Sequence, residues 1–464
     1  RPPRFGATVK SFDATAAKAV PGVTDVVEIP RGVAVVATST WAAIKGREAL
    51  TVEWDESKAE KRGSAEIMAE YKRLAREGDA VLAHSLGDVD TAFGTAARVI
   101  EAEFEFPYLA HAALEPLDAV AWRHDDRLEV WGGHQIPDLY QAVSAEIAGL
   151  PPEQVTLHVM MTGGSFGRRA VGDADIIVEA VSTAKAIGWR APVKVMWTRE
   201  DDMTGGRYRP MYYHMLKAGL DTNGNVIAWQ HRIVGQSIAK GSPFEGIVRN
   251  GVDPTSVEGA TNLPYAIPNL HVDLVTTDVG VPVLWWRSVG STHTAYAVET
   301  FIDELAEAAG RDPIEFRLAM LGDHPRHRAV LERVRDAAGW GNRPPEGVSR
   351  GVAVAESFGS YVAQIADVRL DGGRIKVERV VCAVDCGVAV NPDVIKAQME
   401  GGIGFGLGAI LKGEITLAEG RVEQSNFDGY DVLRLDEMPA VEVHIIESNE
   451  TPTGVGEPGV QPVG

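Results

Sequence analysis

Residues 155–169 read Val-Thr-Leu-His-Val-Met-Met-Thr-Gly-Gly-Ser-Phe-Gly-Arg-Arg. The first seven residues predict a buried strand, and apolar residues then recur on one helical face until Gly188. A strand, a glycine loop and a helix in this order suit an anion, because free N–H groups and the helix dipole point into the loop. The loop matches neither the phosphate loop ending in Gly-Lys-Ser/Thr nor the dinucleotide pattern Gly-x-Gly-x-x-Gly. The alternative is a tight turn that exposes Arg168 and Arg169 to solvent.

The length and composition describe a globular protein of more than one domain. A chain of 464 residues is too long for one core and divides into two or three domains. Hydrophobic residues make up 45% and charged residues 24%, as in ordinary globular proteins. The net charge of -20 argues against nucleic acid and anionic membrane surfaces as partners. No apolar run approaches the roughly 18 residues that indicate a membrane span.

The chain has only two cysteines, Cys382 and Cys386, which lie in a segment that predicts a strand. Residues four apart in a strand are roughly 13 Å apart, too far for a disulfide, so we expect small buried side chains. Two cysteines also cannot hold an iron–sulfur cluster, which normally needs four thiolates. Any electron transfer through such clusters therefore occurs in another chain.

Composition shifts divide the chain into five segments. The first combines a short helix after Asp13, two strands, and a second helix and strand. The second is charged, and we interpret it as a solvated linker helix. A hairpin at residues 221–225 lies within the third segment. The predicted segments are 1–57 (a small α+β unit), 58–80 (linker helix), 81–338 (a large α+β domain), 339–347 (a Gly/Pro-rich linker) and 348–464 (a second α+β domain).

Three further stretches could contribute chemistry. Residues 285–290, Trp-Trp-Arg-Ser-Val-Gly, precede an amphipathic helix, and their arginine is either stacked on a surface tryptophan or a fixed cation facing developing negative charge. His111 and Glu115 share one face of a strand or helix, where a hydrogen-bonded core histidine is favoured over a metal pair. A helix starting at Asn391-Pro392 runs into residues 401–408, which contain five glycines. Each costs about 1 kcal/mol relative to alanine, which is tolerated where backbones pack closely.

Residues 454–459 read Gly-Val-Gly-Glu-Pro-Gly. Glycines on both sides and a following proline can hold the Glu457 carboxylate at a fixed point, close to other backbones and to a ligand. An exposed turn is the alternative for this pattern taken alone.

Taken together and in this order, these stretches resemble the molybdenum-cofactor (large or beta) subunits of the xanthine oxidase/aldehyde oxidase superfamily. Within it, the chain is most similar to the branch that contains the beta subunit of isoquinoline 1-oxidoreductase. The resemblance implies an α+β fold with a small α/β-hammerhead-like unit, partial here, followed by two large mixed α+β molybdopterin-binding domains, the second incomplete. The chain is thus expected to be a fragment that lacks both ends.

The resemblance also implies roles for individual residues. Glu457 is the expected general base, which needs a pKa raised by a dry pocket. Arg287 is expected to stabilise negative charge on the substrate as its carbon becomes tetrahedral. The backbone of Phe166 and Gly167 is expected to lie against the metal's oxo ligand. The implied cofactor-binding residues are Gly164, Ser165, Phe166, Gly167, Arg168, Gln135, Gln398 and Gly456.

The implied cofactor is molybdopterin cytosine dinucleotide, which carries molybdenum with oxo and sulfido ligands through its dithiolene. The protein supplies placement and electrostatics, and the cofactor supplies the redox step. The implied reaction hydroxylates an aldehyde or N-heteroaromatic carbon with oxygen from water. A small partner subunit with two-iron two-sulfur clusters would take the electrons, and a cytochrome could follow. The resemblance leaves both a periplasmic and a cytoplasmic location open.

Three positions depart from the family pattern. Leu109 stands where a glutamine would bond the oxo group in the Gln-x-His-x-x-x-Glu segment. Ala170 stands where purine-oxidising members have a substrate-binding glutamate, which makes purines unfavoured substrates. The Gly-Gln-Gly cofactor clamp is absent from this chain, so it would not hold the whole cofactor by itself.

Two other functions stay open at this point. A non-catalytic relative could keep the scaffold and serve only in assembly, although such a protein has no need of Phe166, Arg287 and Glu457 together. An anion- or nucleotide-binding protein built around residues 163–169 would leave Glu457 unexplained.

Overall fold

The computed structural model describes residues 1–464, which fold as a mixed α+β protein with nineteen strands and eleven helices. The strands are β1 (Thr8–Asp13), β2 (Val23–Ile29), β3 (Gly32–Ala37), β4 (Thr51–Asp55), β5 (Val81–Leu86), β6 (Arg98–Phe106), β7 (Asp118–His124), β8 (Arg127–Gly132), β9 (Val155–Val159), β10 (Val193–Met196), β11 (Tyr212–Leu220), β12 (Val226–Gln236), β13 (Leu270–Thr277), β14 (Val348–Ser357), β15 (Ser360–Asp371), β16 (Arg374–Asp385), β17 (Leu417–Ala418), β18 (Arg421–Val422) and β19 (Ala440–Ile445). The helices are α1 (Thr15–Lys18), α2 (Thr40–Ala49), α3 (Ser64–Glu77), α4 (Val89–Thr95), α5 (Pro137–Ala148), α6 (Asp175–Ala186), α7 (Arg199–Thr204), α8 (Ser291–Ala308), α9 (Pro313–Met320), α10 (Pro325–Ala338) and α11 (Pro392–Leu411). The predicted α+β class is confirmed. None of the helices has the length and apolar character that a membrane span needs.

The first 57 residues contain the elements that the sequence predicts. β1 pairs antiparallel with β4, and β2 with β3. Just before α1, the Asp13 side chain accepts the N–H of Thr15 at 2.9 Å. Ser39 caps α2 through its Oγ, which accepts the N–H of Ala42 at 3.2 Å. Both bonds satisfy N–H groups that a helix start leaves free, which favours helix initiation at these two points.

A four-stranded sheet carries the glycine loop. Its strand order is β10-β7-β8-β9, and α5 and α6 contribute the apolar side chains that cover it. The predicted strand is present at Val155–Val159, but only Val155 is buried and Met160 and Met161 are exposed, so the prediction of a buried strand through Met161 is wrong. The predicted apolar helix face is present, and Gly188 follows α6 with a φ of +72°. The loop from Gly163 to Arg169 leaves the end of β9 at the edge of this layer.

Another sheet has five strands in the order β5-β13-β12-β11-β6. Its two faces are both covered, so neighbouring residues enter different cores: Tyr212 packs with α8 to α10, and Tyr213 packs with α3. The predicted hairpin joins β11 to β12, where Asp221 accepts the N–H groups of Asn223 and Asn225.

Helix α3 is not the solvated linker helix that the sequence predicts. Its Ile67, Tyr71 and Ala75 recur every four residues and are buried against the five-stranded sheet. The charged residues that suggested a solvated helix occupy only its outer face, because one apolar residue per turn is enough to bury one side. Residues 58–63 precede the helix and are not helical.

A second four-stranded sheet of order β14-β15-β16-β19 lies between α10 and α11. Both of its faces are buried, which explains the uninterrupted apolar run Val380–Val384. Cys382 and Cys386 are free thiols buried beside α11, as predicted for small core residues. The chain segment 339–347 joins α10 to β14.

The largest core contains 35 buried apolar residues and crosses the 339–347 segment. It includes α8 and α10 together with inward residues of both sheets, such as Trp229 of β12 and Ile365 of β15. The two large halves of the chain therefore share packing, and this shared core fixes the loops of one half against those of the other.

Candidate active site

Three loops that are distant in sequence meet beside the glycine-rich part of α11. They are residues 163–170, 285–290 and 454–460. The backbone N–H of Arg287 donates to the carbonyl of Phe166 at 3.0 Å. The Arg287 Nε donates to the carbonyl of Gly456 at 2.6 Å. Arg287 thus connects the first loop to the third.

The glycines of α11 allow the third loop to lie against the helix. A Cβ on Gly406 would stand 2.6 Å from the carbonyl oxygen of Val460, and one on Gly402 would stand 3.0 Å from the backbone of Gly459. Both glycines are buried. The close backbone packing that the sequence predicts for residues 401–408 is confirmed.

An aromatic stack connects the first loop to the second. The ring of Phe405 on α11 lies 4.3 Å from the ring of Phe166 on one side and 4.3 Å from that of Trp286 on the other. Phe166 has a φ of +58°, a left-handed conformation that is rare for an aromatic residue. A Cβ on the following Gly167 would overlap the carbonyl oxygen of Trp285. The loop conformation is therefore maintained by tertiary contacts rather than by its own preference.

Glu457 lies half-buried at this junction, not on an exposed turn. Its Oε2 accepts the backbone N–H of Ser288 at 2.9 Å, and its carbonyl accepts the Ser288 hydroxyl at 2.6 Å. Burial raises the pKa of the Glu457 carboxyl above its usual range, although the Ser288 N–H and the Arg287 charge act in the opposite direction. The other carboxylate oxygen, Oε1, has no hydrogen-bond partner in the protein and is free to accept a proton.

Arg287 is directed toward the third loop and is not stacked on a surface tryptophan. Its Nη2 donates to Gln398 Oε1 at 3.0 Å and to the Gln398 carbonyl at 3.3 Å. With Nε bonded to Gly456, only Nη1 is without a partner in the protein. Burial lowers the pKa of Arg287 while the Glu457 charge raises it, and an arginine stays charged in either case.

The turn at Ser288 and Val289 is strained. Both residues have positive φ angles, +80° and +48°, and the second is β-branched. Each such conformation costs on the order of 1–3 kcal/mol and persists only where neighbours enforce it. Sequence patterns singled out this segment but not Ser288, because nothing in the pattern shows that its N–H faces a carboxylate 169 residues later.

The glycine loop has its own polar network. Glu115 accepts the N–H of Gly163 at 2.5 Å and pairs with Arg169 at 3.2 Å. The Ser165 hydroxyl donates to Gln135 Oε1 and accepts the N–H of Arg169. Gln135 therefore lies beside the loop, as expected from the sequence, and it contacts Ser165 rather than Arg287 or Glu457.

The two arginines of the loop are buried, so the interpretation as solvent-facing residues is wrong. Arg168 donates through Nη2 to Asp175 at 2.7 Å and lies over the ring of Trp197. Burial alone would raise the pKa of Asp175, but the Arg168 charge lowers it below its usual range. Helix α6 begins only at Asp175, so the expected arrangement, with the helix N-terminus opening directly into the loop, is also wrong.

Several buried nitrogens around the loop lack a protein partner. They are Nε and Nη1 of Arg168, Nε and Nη1 of Arg169, and both ring nitrogens of His134. Burial lowers the pKa of His134 to about 4, so its ring is neutral. Buried donors are normally satisfied, and guanidinium groups favour phosphate and similar anions. The guanidinium donors of Arg168 and Arg169, with the single N–H of the neutral His134 ring, therefore fit a large anionic cofactor beside the loop.

His111 is a buried core histidine, as favoured by the sequence, but residues 111–115 form neither a strand nor a helix, so the predicted shared face with Glu115 is wrong. Its Nε2 lies 2.8 Å from the carbonyl oxygen of Trp285, and burial lowers its pKa to about 3. No group of three or more side chains is arranged to hold a metal ion. Leu109 is buried with Trp286 and Val460 in a small apolar cluster behind the site.

Models of the molybdopterin cofactor-binding domain match residues 75–321 and 337–439. The chain is 32% identical over 479 aligned residues to the beta subunit of isoquinoline 1-oxidoreductase from Brevundimonas diminuta, an alignment that covers 100% of the chain and 61% of that protein. It is 28% identical to a nicotinate dehydrogenase subunit of Pseudomonas putida over 97% of the chain and 40% of that protein. The chain thus spans about three fifths or less of the length of these relatives.

Two solved structures share the fold. Quinoline 2-oxidoreductase from Pseudomonas putida 86 superposes with a TM-score of 0.83 at 15% identity, covering 100% of the chain and 89% of that chain. Aldehyde oxidoreductase from Desulfovibrio gigas superposes with a TM-score of 0.76 at 16% identity, covering 98% and 72%. At these identities the likeness concerns the fold alone.

Proposed function

Because the chain belongs to the molybdopterin cofactor-binding family, we propose that it forms the catalytic part of a molybdenum hydroxylase. The reaction adds oxygen from water to an aldehyde or N-heteroaromatic carbon and releases two electrons and two protons. The relatives include proteins named for isoquinoline, nicotinate and aldehyde oxidation. The observation that carries the proposal is the Glu457 carboxylate, which Ser288 holds with one oxygen free, while the Arg287 guanidinium binds the carbonyl of the preceding residue, Gly456.

Each residue of the junction has a defined task in this proposal. Glu457 accepts a proton at Oε1 while Oε2 stays bonded to Ser288, so the base does not rotate during transfer. Its raised pKa makes it a stronger base than an exposed glutamate. Arg287 presents Nη1 to negative charge on the substrate, because its other nitrogens are bonded to Gly456 and Gln398.

The cofactor is molybdopterin in the cytosine dinucleotide form. When bound, it supplies the two-electron oxidation and the oxygen that comes from water. The partnerless nitrogens of Arg168, Arg169 and His134 would hold its anionic groups. Phe166 and Gly167 would contact the metal end, since their loop reaches the junction through Arg287. The electrons would pass to a small partner with two-iron two-sulfur clusters, because this chain has two cysteines, both buried.

The proposal is tested with the complete protein, produced with its iron–sulfur partner in a bacterium that makes the cofactor. We expect about one molybdenum per chain, release of a cytosine nucleotide on denaturation, and incorporation of ¹⁸O from labelled water into the product. Glu457→Gln should retain molybdenum, since a glutamine oxygen still accepts the Ser288 N–H, but should lose about 10²–10⁴-fold in kcat.

The matched control is Glu447→Gln, which changes an exposed glutamate ten residues earlier and should leave kcat unchanged. A folded, partner-bound protein without molybdenum, from a host shown to make the cofactor, would refute the proposal. That result would favour an assembly role instead. Full activity of Glu457→Gln would refute the assignment of the base alone.

A further inference from the structure

The strained turn at Ser288 and Val289 needs an external restraint, because both residues have positive φ angles. The turn presents one N–H and one hydroxyl to Glu457. If the turn relaxed, the Glu457 carboxylate would lose the Ser288 N–H and the Glu457 backbone carbonyl would lose the Ser288 hydroxyl. Its anchoring points therefore decide how precisely the base is held.

Glu258 provides this restraint from the opposite side. Its Oε1 accepts the N–H of Gly290, the residue that follows the strained pair, at 2.7 Å. Its carbonyl accepts the Thr294 hydroxyl at 2.6 Å, and the same hydroxyl contacts the Gly290 carbonyl at 3.1 Å. A Cβ on Gly290 would overlap the Thr255 carbonyl oxygen and lie 2.9 Å from the Glu258 Cγ, so this end of the turn is tightly enclosed.

The charge of Glu258 has no local compensation. The charged groups that face it are the carboxylates of Glu457 and Asp253, and no lysine or arginine pairs with it. Only backbone N–H groups at the start of α8 stabilise its negative form. A glutamine could accept the same N–H without the penalty of a buried charge. The hydrogen bond to Gly290 therefore does not require a carboxylate, and the negative charge is the property that a glutamine would lack.

We propose that Glu258 is a positioning residue for Glu457, which holds the Ser288–Gly290 turn and adjusts the basicity of Glu457 through its own charge. The inference rests on the proposed function, in which Glu457 is the general base. Glu457 and Glu258 accept the N–H groups of Ser288 and Gly290, which lie two residues apart on the turn. At this proximity an ionised Glu258 makes Glu457 a stronger base. Burial and the negative charge of Glu457 raise the pKa of Glu258 to about 7. Glu258 therefore becomes ionised as the pH rises through neutrality.

The test compares Glu258→Gln, Glu258→Ala and the control Glu245→Gln, an exposed glutamate of the same loop region. All are made in the complete protein with its iron–sulfur partner. The wild type should show an increase of kcat/KM around pH 7 in addition to the acidic limb of Glu457. Glu258→Gln should keep the acidic limb and lose that increase, with a loss of roughly three- to tenfold above pH 7.

Glu258→Ala should lower kcat further at every pH, because it also removes the acceptor of the Gly290 N–H. Glu258→Gln keeps an acceptor for the Gly290 N–H and should therefore have a higher kcat than Glu258→Ala. Equal pH profiles of Glu258→Gln, Glu245→Gln and wild type would overturn the charge role. Equal kcat values of the alanine and glutamine variants would overturn the positioning role.

A second measurement does not depend on activity. Infrared difference spectra across a pH titration report the protonation of buried carboxyl groups in the folded protein, with or without bound molybdenum. We expect one carboxyl that titrates near neutral pH and disappears in Glu258→Gln, while the titration of the Glu457 carboxyl is retained. If the neutral titration persists in that variant, the inference is wrong. Absence of molybdenum in the wild type would refute the proposed function separately.

Discussion

Gly406→Ala is expected to separate the packing role of the α11 glycines from their effect on helix stability. The new Cβ would lie 2.6 Å from the Val460 carbonyl oxygen and 2.7 Å from a methyl carbon of Val463. The first of these is a backbone atom, so the clash is relieved only if the chain near Val460 moves. That chain carries Glu457, whose carbonyl accepts the Val460 N–H at 3.0 Å.

The matched control is Gly401→Ala in the same helix, where a Cβ would meet no atom within 4 Å. Replacing a helical glycine by alanine stabilises by about 1 kcal/mol, and this gain applies at both positions. Overpacking of a filled site costs about 1–3 kcal/mol. Gly406→Ala should therefore be less stable than Gly401→Ala by about 1–3 kcal/mol, a difference from which helix propensity cancels.

The free energies of unfolding are measured by urea titration of both variants and the wild type, followed by circular dichroism. Molybdenum content and kcat are measured on the same preparations. We expect Gly401→Ala to match or exceed the wild type in stability with unchanged kcat, and Gly406→Ala to lose both stability and activity. Equal stability and equal kcat of the two variants would refute the view that close backbone packing requires glycine at position 406.

Three further changes test other parts of the structure. Arg317→Met should lower the free energy of unfolding, measured by urea titration, by about 3–5 kcal/mol, because it leaves the buried Glu299 carboxylate without its 2.9 Å partner. Adding Glu299→Gln should recover part of this loss, and no recovery would contradict the explanation. Leu109→Gln should lower the free energy of unfolding by about 1–3 kcal/mol, since it buries an amide in the apolar cluster behind the site. An unchanged urea midpoint would mean that the amide finds a polar partner. Burial lowers the pKa of His231 to about 3. The contribution of the neutral His231 ring to the free energy of unfolding is therefore complete above about pH 6.5 and is lost as the pH falls. His231→Gln should therefore reduce the slope of the free energy of unfolding against pH between about 6 and 4 by about 1.4 kcal/mol per pH unit, and an unchanged slope would contradict this.

The sequence predicted the elements of the fold because their signals are local. The strand at Val155, the helix after Asn391 and the hairpin at residues 221–225 are all present, although, contrary to expectation, the strand is not buried beyond Val155. The resemblance to molybdenum-cofactor subunits, drawn from dispersed stretches, is confirmed by the domain matches. The prediction of a solvated helix α3 is wrong, because its charged residues outnumber the few apolar residues that it buries against a sheet formed mostly by later residues.

The site was predicted only in its parts. Phe166, Arg287, Gln398 and Gly456 meet at one junction, as the resemblance implied, while their roles stay predictions. Arg168 lies apart from this junction with Asp175. Glu258 carried no signal at all in the sequence, because it belongs to no glycine-rich or aromatic stretch.

The sequence by itself determined where chain segments turn, which faces are apolar and where backbones need glycine. Each of these depends on steric and apolar properties that repeat over a few neighbouring residues. The tertiary structure alone decided that Ser288 holds Glu457 and that the loop arginines are buried. The hydrogen bonds of Glu457 and Arg287 join segments 169 residues apart, and no local periodicity encodes the direction of side chains over such a separation.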